Sequence, residues 1–260
     1  MCVASATLVV WSSAWLAGRA AADDVLDAMQ VWAERHELEV ADPRAAELTE
    51  LAANCPVPFT DLLPVLRRLS SPMALVLPAP GDPRGLDAGG PFTKAALQAG
   101  EAVVLPDAGI GLTPRDVDGL LRWHVHHLVS SPVIEHVGLA QAEEELTTAV
   151  RDSAAALAEL QVANERPDAD DALRAHLRAR PPLNWPDGMP GRSLRVLQRA
   201  DEVAAILSLA NADDPGGALS ASAAAHRAAA LRGPAAAVRT ARTAAVAEAA
   251  RILSEQPNRR

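Results

Sequence analysis

Three segments between Pro72 and Leu128 decide the fold, and they read Pro72-Met73-Ala74-Leu75-Val76-Leu77-Pro78, Ala102-Val103-Val104-Leu105-Pro106 and Leu120-Leu121-Arg122-Trp123-His124-Val125-His126-His127-Leu128. Short apolar runs that end at proline are typical of buried strands. The rest of the chain has the periodicity of helices. We therefore expect an α+β protein, mostly α-helical, with a small two- or three-stranded sheet in the first half and a helical C-terminal half.

The third segment is ambiguous between helix and strand. Thr113-Pro114-Arg115-Asp116 has the pattern of a helix start, with threonine as the cap and proline at the first helical position. From Leu121 onward, however, apolar and polar residues alternate as in a half-buried strand. We favour a single helical turn after Thr113 and then a strand that ends at Leu128.

Helical patterns fill most of the remaining sequence, and the clearest one has apolar residues at helical spacing from Leu139 to Asn164. The connector Ser130–Val137 divides the chain into residues 1–130, helices with the small sheet, and residues 139–260, a helical region that can also pack as one unit with the first. The other expected helices are Ala6–Ala17, one from Asp23 with a stripe that ends at His36, one capped by Asp42, Leu62–Leu69, Pro91–Gly100, Asp170–Arg180, Leu194–Asn211 with Ser193 as its cap, and two that Gly233-Pro234 separates, Ser220–Leu231 and Pro234–Glu255.

The same periodicity predicts the hydrophobic core, which must be aliphatic because the chain has only five Trp, two Phe and no Tyr. Cys55, between apolar residues and prolines, is expected to be a small core residue. The residues expected to be buried are Trp11, Trp15, Leu75, Val76, Val104, Leu146, Leu157, Leu160, Leu197, Ile206 and Leu207.

Composition limits the class of protein. A hydrophobic share of 49% excludes a disordered chain, and a net charge of −9 opposes nucleic-acid binding over the whole surface. Lys94 is the only lysine beside 23 arginines, which indicates the codon bias of a GC-rich bacterial genome. No apolar run is long enough to span a membrane.

Two observations bear on the compartment. The only cysteines are Cys2 and Cys55, which is no disulfide framework and fits the reducing cytoplasm. Val3–Ala17 is apolar, but no basic residue precedes Arg19, so we expect a helix of the folded protein rather than a signal peptide.

Charge is distributed unevenly along the second half. Leu139–Asp171 carries nine acidic residues and two arginines, whereas Arg227–Arg260 carries seven arginines and two glutamates. The two segments either face each other or are solvated, or else the arginine-rich C-terminal tail binds a partner.

The loop Gly81–Gly90 is a candidate anion site, because a strand, a glycine-rich loop and a helix follow one another there. Gly85 and Gly90 match the first half of a phosphate-binding loop, but Pro91-Phe92 stand where lysine and serine or threonine belong. A nucleoside triphosphatase is therefore disfavoured. A weak anion site would use Arg84, Gly89, Gly90, Thr93 and Lys94; the other interpretation is a surface turn.

The histidines of the third segment are the remaining candidates for chemistry. On a strand His124 and His126 share a face, close enough to bind one metal ion, but no third ligand has a spacing that forces a site. We therefore predict no metal and no cofactor, with His124 and His126 as the fallback ligands. A polar outer strand face explains them equally well.

These observations favour a non-enzymatic intracellular binding or regulatory protein that acts through helical surfaces, with another protein as its partner and neither nucleic acid nor membrane. The alternative is a small-molecule or anion-binding protein, or an enzyme, with a site at the Gly81–Lys94 loop and the His124/His126 strand.

Overall fold

The structure, a computed structural model, describes residues 3–53, 55–87, 89–159, 169–179, 181–212 and 221–255. Its contacts divide the chain into two compact units. The N-terminal unit consists of Val3–His136, Pro182–Pro190 and the chain from Val246 onward, and the C-terminal unit contains Val137–Pro181 and Gly191–Ala245.

The N-terminal unit is an α+β structure around one sheet. Its elements in chain order are α1 (Ala4–Leu16), α2 (Ala22–Gln30), β1 (His36–Val40), α3 (Pro43–Thr49), β2 (Val57–Pro58), α4 (Leu62–Leu69), β3 (Ala74–Val76), α5 (Pro91–Ala99), β4 (Ala102–Leu105), β5 (Ile110–Val117) and β6 (Leu120–His127).

The sheet has six strands in the order β2-β1-β6-β5-β4-β3. β1 and β6 run parallel, and the other neighbouring strands run antiparallel. The longest pairing joins β5 to β6 from Ile110↔His127 to Val117↔Leu120. Its two-residue turn is Asp118-Gly119, where both residues have positive φ angles of 52° and 85°. Such a turn matches the twist of paired strands, and aspartate followed by glycine is a favoured sequence for it.

The expected size of the sheet is wrong, although the α+β class is confirmed. The strands expected at Met73–Leu77, Ala102–Leu105 and Leu121–Leu128 are present as β3, β4 and β6, but β1, β2 and β5 join them. Thr113-Pro114-Arg115-Asp116 starts no helix and lies within β5. Proline is tolerated there because β4 pairs only with Ile110–Leu112, so the rest of β5 is an edge on that side.

His36 is a second correction, since it begins β1 and does not end a helix. Its Nδ1 accepts a hydrogen bond from the indole Nε1 of Trp123 at 3.3 Å, and its Nε2 lies 2.9 Å from the carbonyl oxygen of Met29. Burial, the largest effect, lowers the pKa of His36, while its backbone hydrogen bonds with Met29 and Ala33 act in the opposite direction. The ring therefore serves as a neutral bridge between β6 and α2.

Both faces of the sheet are covered over much of their area. On one face α5 contributes Phe92 and Ala96 to a core cluster that contains Val76, Ala102 and Val104. Side chains on the other face, among them Val103, Leu112 and Trp123, are fully buried. α1 contacts β3, β4 and β5 and is itself buried along most of its length.

Asp42 fixes the junction between β1 and α3. Its Oδ1 accepts from the amide of Ala45, as the predicted cap of this helix should, and Pro43 follows at the first helical position. Its Oδ2 accepts from the amide of His127 at 2.9 Å. One carboxylate thus caps α3 and fixes the end of β6.

The described part of the C-terminal unit is helical, with α6 (Leu139–Glu159), α7 (Ala169–Arg178), α8 (Gly191–Ala212) and the first part of α9 (Ala221–Glu255). The break predicted at Gly233-Pro234 is wrong, because α9 continues through it. Pro234 removes one backbone hydrogen bond, but the alanine-rich sequence on both sides has a high helix propensity. Ser193 is no cap either, since α8 begins at Gly191.

The predicted core is confirmed for Trp15, Leu75, Val76, Val104, Leu146 and Leu197, which are buried. The prediction that Ile206 is buried is wrong, because 48% of its surface is exposed. The buried stripe of α8 runs through Val196, Ala200 and Val203 and leaves Ile206 on another side of the helix. Cys55 is exposed rather than buried. Trp11, Leu157 and Leu207 are half-buried, and Leu160 lies outside the described residues.

Among the helices of the described ranges, none has the length and apolar character needed to cross a membrane. The sequence also predicts that Asn258-Arg259-Arg260 are disordered, and these residues lie outside the described part of the chain.

Asp201 of α8 and Arg242 of α9 form a nearly buried ion pair in the C-terminal unit, at 2.6 Å from Nη2 to Oδ1, with 13% and 8% of the side chains exposed. Replacing Asp201 by alanine leaves the buried guanidinium of Arg242 without this carboxylate, so we expect the free energy of unfolding to fall by about 3–5 kcal/mol.

The matched control is Glu202→Ala, which removes the neighbouring but exposed pair with Arg199 and should cost less than about 1 kcal/mol. Urea denaturation measures both variants. Equal losses for the two would contradict the buried placement of Arg242.

Candidate functional site

A polar surface lies on one face of β6, opposite the buried Trp123. Side chains alternate along a strand, so Arg122, His124 and His126 share this face. The register places Glu37 beside Arg122 and Glu39 beside His124 on one side. On the other side it places Arg115 beside Arg122 and Thr113 beside His124.

Arg122 neutralises the acidic side chains of β1. Its Nη1 lies 3.0 Å from Oε2 of Glu39, and its Nη2 lies 3.2 Å from Oε2 of Glu37. These three side chains are only partly exposed, which strengthens their attraction compared with a fully solvated pair. The carboxylates of β1 are therefore already engaged.

His126 lies in the floor of this face and is only 7% exposed. Its Nε2 is 3.3 Å from Oγ1 of Thr113, and its ring meets the ring of Phe92 edge-on at 5.6 Å. Burial is the main cause that lowers the pKa of His126 from 6.5 to about 4; His124 acts in the same direction, and Asp42 opposes both. The imidazole is therefore neutral at physiological pH.

Gly111 allows this close packing. A methyl group at Gly111 would overlap the ring of Phe92, so the ring reaches His126 only because β5 has a glycine there.

His124 is the accessible imidazole of the face. Burial, the largest effect, lowers its pKa; Glu39 opposes this, and Arg115 and Arg122 reinforce it. A neutral, half-buried imidazole can accept one hydrogen bond and donate another.

A cleft of about 600 Å³ lies between this face and the C-terminal half of α5. His124, His126 and Thr113 line its floor, and Arg115 lies at its side. Ala95 and Ala99 of α5 contribute an apolar wall. Its volume is within the range of small-molecule sites in proteins.

The metal interpretation has little support from these positions. His124 and His126 do share a face, with ring centroids 6.4 Å apart. Within the part of the chain that the structure describes, however, no group of three or more histidine, cysteine, aspartate or glutamate side chains has the arrangement to hold a metal ion. A metal site generally needs three or four protein ligands.

The five residues proposed for an anion site differ in burial and in their partners. Arg84 forms an ion pair with Asp82, with Nε 2.9 Å from Oδ2. Thr93 is buried, whereas Lys94 and Gly89 are exposed, and Gly90 is the backbone cap of α5. A site made of these residues stays a prediction.

Contacts with the segment after β6 hold this loop in place. The backbone carbonyl of Gly85 accepts from the amide of Val133 at 3.2 Å, and the hydroxyl of Ser130 donates to Asp87. Gly85 has a φ of 77°, and a methyl group on it would collide with the carbonyl of Val133. This close backbone packing explains why residue 85 is a glycine.

The C-terminal unit contains a groove of about 650 Å³ between α6 and α9. Glu144, Glu145 and Asp152 of α6 form its acidic side. Ala229, Ala230, Gly233 and Pro234 of α9 form its opposite side. This groove lies in the acidic segment that the sequence singled out.

Sequence reasoning missed Thr113, Arg115 and Glu39 as site residues. Thr113-Pro114-Arg115-Asp116 has the pattern of a helix start, and Glu39 falls between two predicted helices. The signal that could have revealed them was Asp118-Gly119, which marks a hairpin and turns the residues before it into a strand.

The lowered pKa of His126 predicts how the stability of the protein depends on pH. The unfolded chain takes up a proton near pH 6.5, whereas the folded protein does so only near pH 4, so stability should be fully present above pH 6.5 and fall as the pH drops towards 4. The loss from this residue should reach up to roughly 3 kcal/mol.

The measurement is urea denaturation of the protein and of His126→Gln at several pH values between 7 and 4. Because carboxylates also titrate at the lower end, the difference between the two pH profiles is what counts. Parallel profiles would show that His126 is not held neutral by burial.

Comparison with known proteins places both halves of the chain in one family. Residues 5–136 match the family model described as "Rv1486c-like protein, N-terminal domain", and residues 140–243 match "Rv1486c-like protein, C-terminal domain". No solved structure matches the chain significantly.

Several curated mycobacterial proteins are similar over most of their length. "Uncharacterized protein Rv1486c" of Mycobacterium tuberculosis is 38% identical over 246 residues, which cover 79% of this chain and 82% of the relative. "Uncharacterized protein ML1804" of Mycobacterium leprae is 33% identical over 254 residues, which cover 79% and 83%. The chain therefore belongs to the Rv1486c-like protein family, through both its N-terminal and its C-terminal domain.

Proposed function

We propose that this is a cytoplasmic, non-enzymatic binding protein whose C-terminal unit takes up a basic amphipathic segment of a partner protein in the groove between α6 and α9. The observation that carries the proposal is the asymmetry of that groove, with carboxylates on one side and small apolar side chains on the other. An amphipathic helix presents the matching pair of surfaces.

The acidic side has charge left for a partner. Glu143, outside the groove, is paired with Arg192, and Glu145 accepts from Gln141. Glu144 and Asp152 have no ion pair among the described residues, and both are exposed. Opposite charges across an interface favour association and select the partner.

The apolar side has room for a partner's side chains. Ala229, Ala230 and Gly233 have little or no side chain, so a second helix can approach α9 closely. Pro234 has no N–H, so it cannot donate the hydrogen bond that the carbonyl of Ala230 accepts in a regular helix.

The cytoplasm is proposed because Cys55 is a free, exposed thiol. Exposed thiols persist in a reducing compartment, whereas oxidising compartments favour disulfides.

The test uses the full chain and a synthetic amphipathic helical peptide with lysine and arginine on one face and leucine on the other. Replacing both Glu144 and Asp152 by glutamine should weaken binding about fivefold at low ionic strength, because two exposed charges contribute modestly. Fluorescence anisotropy of the labelled peptide measures the affinity.

Two controls separate the groove from general electrostatic attraction. The double variant Asp23→Gln with Glu47→Gln removes the same number of negative charges, but in the N-terminal unit, and it should leave binding unchanged. Ala229→Trp, which fills the groove, should abolish binding, whereas Ala228→Trp, on the same helix outside the groove, should not. Equal losses within either pair of variants would refute the groove as the binding surface.

A further inference from the structure

The cleft in the N-terminal unit has one cationic side chain in its lining, Arg115. Arg115 lies at the side of the cleft, is exposed, and forms no ion pair within the described ranges of the chain. An arginine side chain offers five N–H donors in a planar fork that suits a carboxylate.

Two acidic side chains, Glu101 and Asp116, line the cleft, and Glu39 lies beside His124. Glu101 accepts from the amide of Ser5 at 2.7 Å, in the first turn of α1, where the helix dipole favours a negative charge. Glu39 pairs with Arg122. Asp116 follows Arg115 along β5 and also lines the cleft, and its Oδ1 lies 3.4 Å from the amide of Gly119.

The floor of the cleft provides an ordered polar contact. His124 is held between Glu39 and Thr113 by the register of three strands. His126 below it is fixed by Thr113 and by the ring of Phe92. A ligand would therefore meet an imidazole whose position is set before binding, which lowers the entropic cost of association.

The remaining lining is apolar except for Gln98. Ala95 and Ala99 of α5 face the cleft from one side, and Leu121 and Pro114 contribute on the other. A purely ionic ligand such as phosphate would leave this surface unused. The cleft thus combines a cation, a neutral hydrogen-bonding ring and an apolar wall.

We infer that the cleft between α5 and the β5–β6 face binds a small carboxylate with an apolar body, whose carboxylate is held by Arg115 beside His124 and whose apolar part contacts Ala95 and Ala99. This site lies in the N-terminal unit and is independent of the groove proposed above for a protein partner. Each can therefore fail without the other.

The test follows the imidazole signal of His124 by NMR in the full-length protein during titration with hexanoate, with hexanol and inorganic phosphate as comparison probes. His124→Gln identifies that signal among the seven histidines. We expect hexanoate to shift it saturably with a dissociation constant of about a millimolar, the range for a ligand of this size. Hexanol and phosphate should each bind at least about tenfold more weakly.

Arg115→Gln should weaken hexanoate binding about tenfold or more, because it removes a charge-assisted hydrogen bond. Arg44→Gln is the matched control: it removes one exposed arginine that is paired with Glu47 on α3, and binding should not change. Thermal melting of both variants checks that the fold is intact.

Three results would overturn the inference. These are the absence of a saturable shift of His124 with hexanoate, equal affinity for hexanol or phosphate, and an unchanged affinity in a folded Arg115→Gln variant.

Discussion

The pairing of β6 with β5 on one side and β1 on the other is the constraint on which the N-terminal unit depends. It buries Trp123 and Val125 on one face and holds His124 and His126 on the other. Trp123 then reaches His36 and, through it, the carbonyl of Met29 in α2, while Asp42 ties the end of β6 to α3. A slip of one residue in this register would exchange the two faces, placing charges in the core and tryptophan in the cleft. The fold and the candidate ligand site therefore rest on the same hydrogen bonds.

The sequence predicted those elements whose local signals agree with their tertiary setting. α3 has its cap at Asp42 with Pro43 after it, and β3 and β4 are apolar runs bounded by prolines or loops, so all three were found. β5 was missed because Thr113-Pro114 imitates a helix start; only the pairing with β6, closed by Asp118-Gly119, decides against it. His36 was missed for a similar reason, since its spacing from Val25 and Trp32 continues a helical stripe although the chain turns into β1. Local patterns could not show which neighbour each segment would meet.

The same limit applies to the candidate site. His124 and His126 could be placed on one face from alternation alone. Arg115 and Glu39 could not, since they come to His124 from strands that the sequence had not revealed. The sequence shows an excess of acidic residues in α6 but not the groove, because the other side of the groove depends on α9 continuing through Pro234. High alanine content there compensates for one missing hydrogen bond, a balance of energies that no short pattern encodes.

The most direct test of this account is the pairing around His124, measured by NMR in the full-length protein. Cross-strand nuclear Overhauser effects between the backbones of residues 124 and 113, and between residues 124 and 39, follow from β6 lying between β5 and β1. We predict both sets, together with slow amide hydrogen exchange along β6. Sequential helical effects between residues three apart in Leu120–His127, without the cross-strand ones, would contradict the account, because Arg115, Glu39 and His124 would then share no surface.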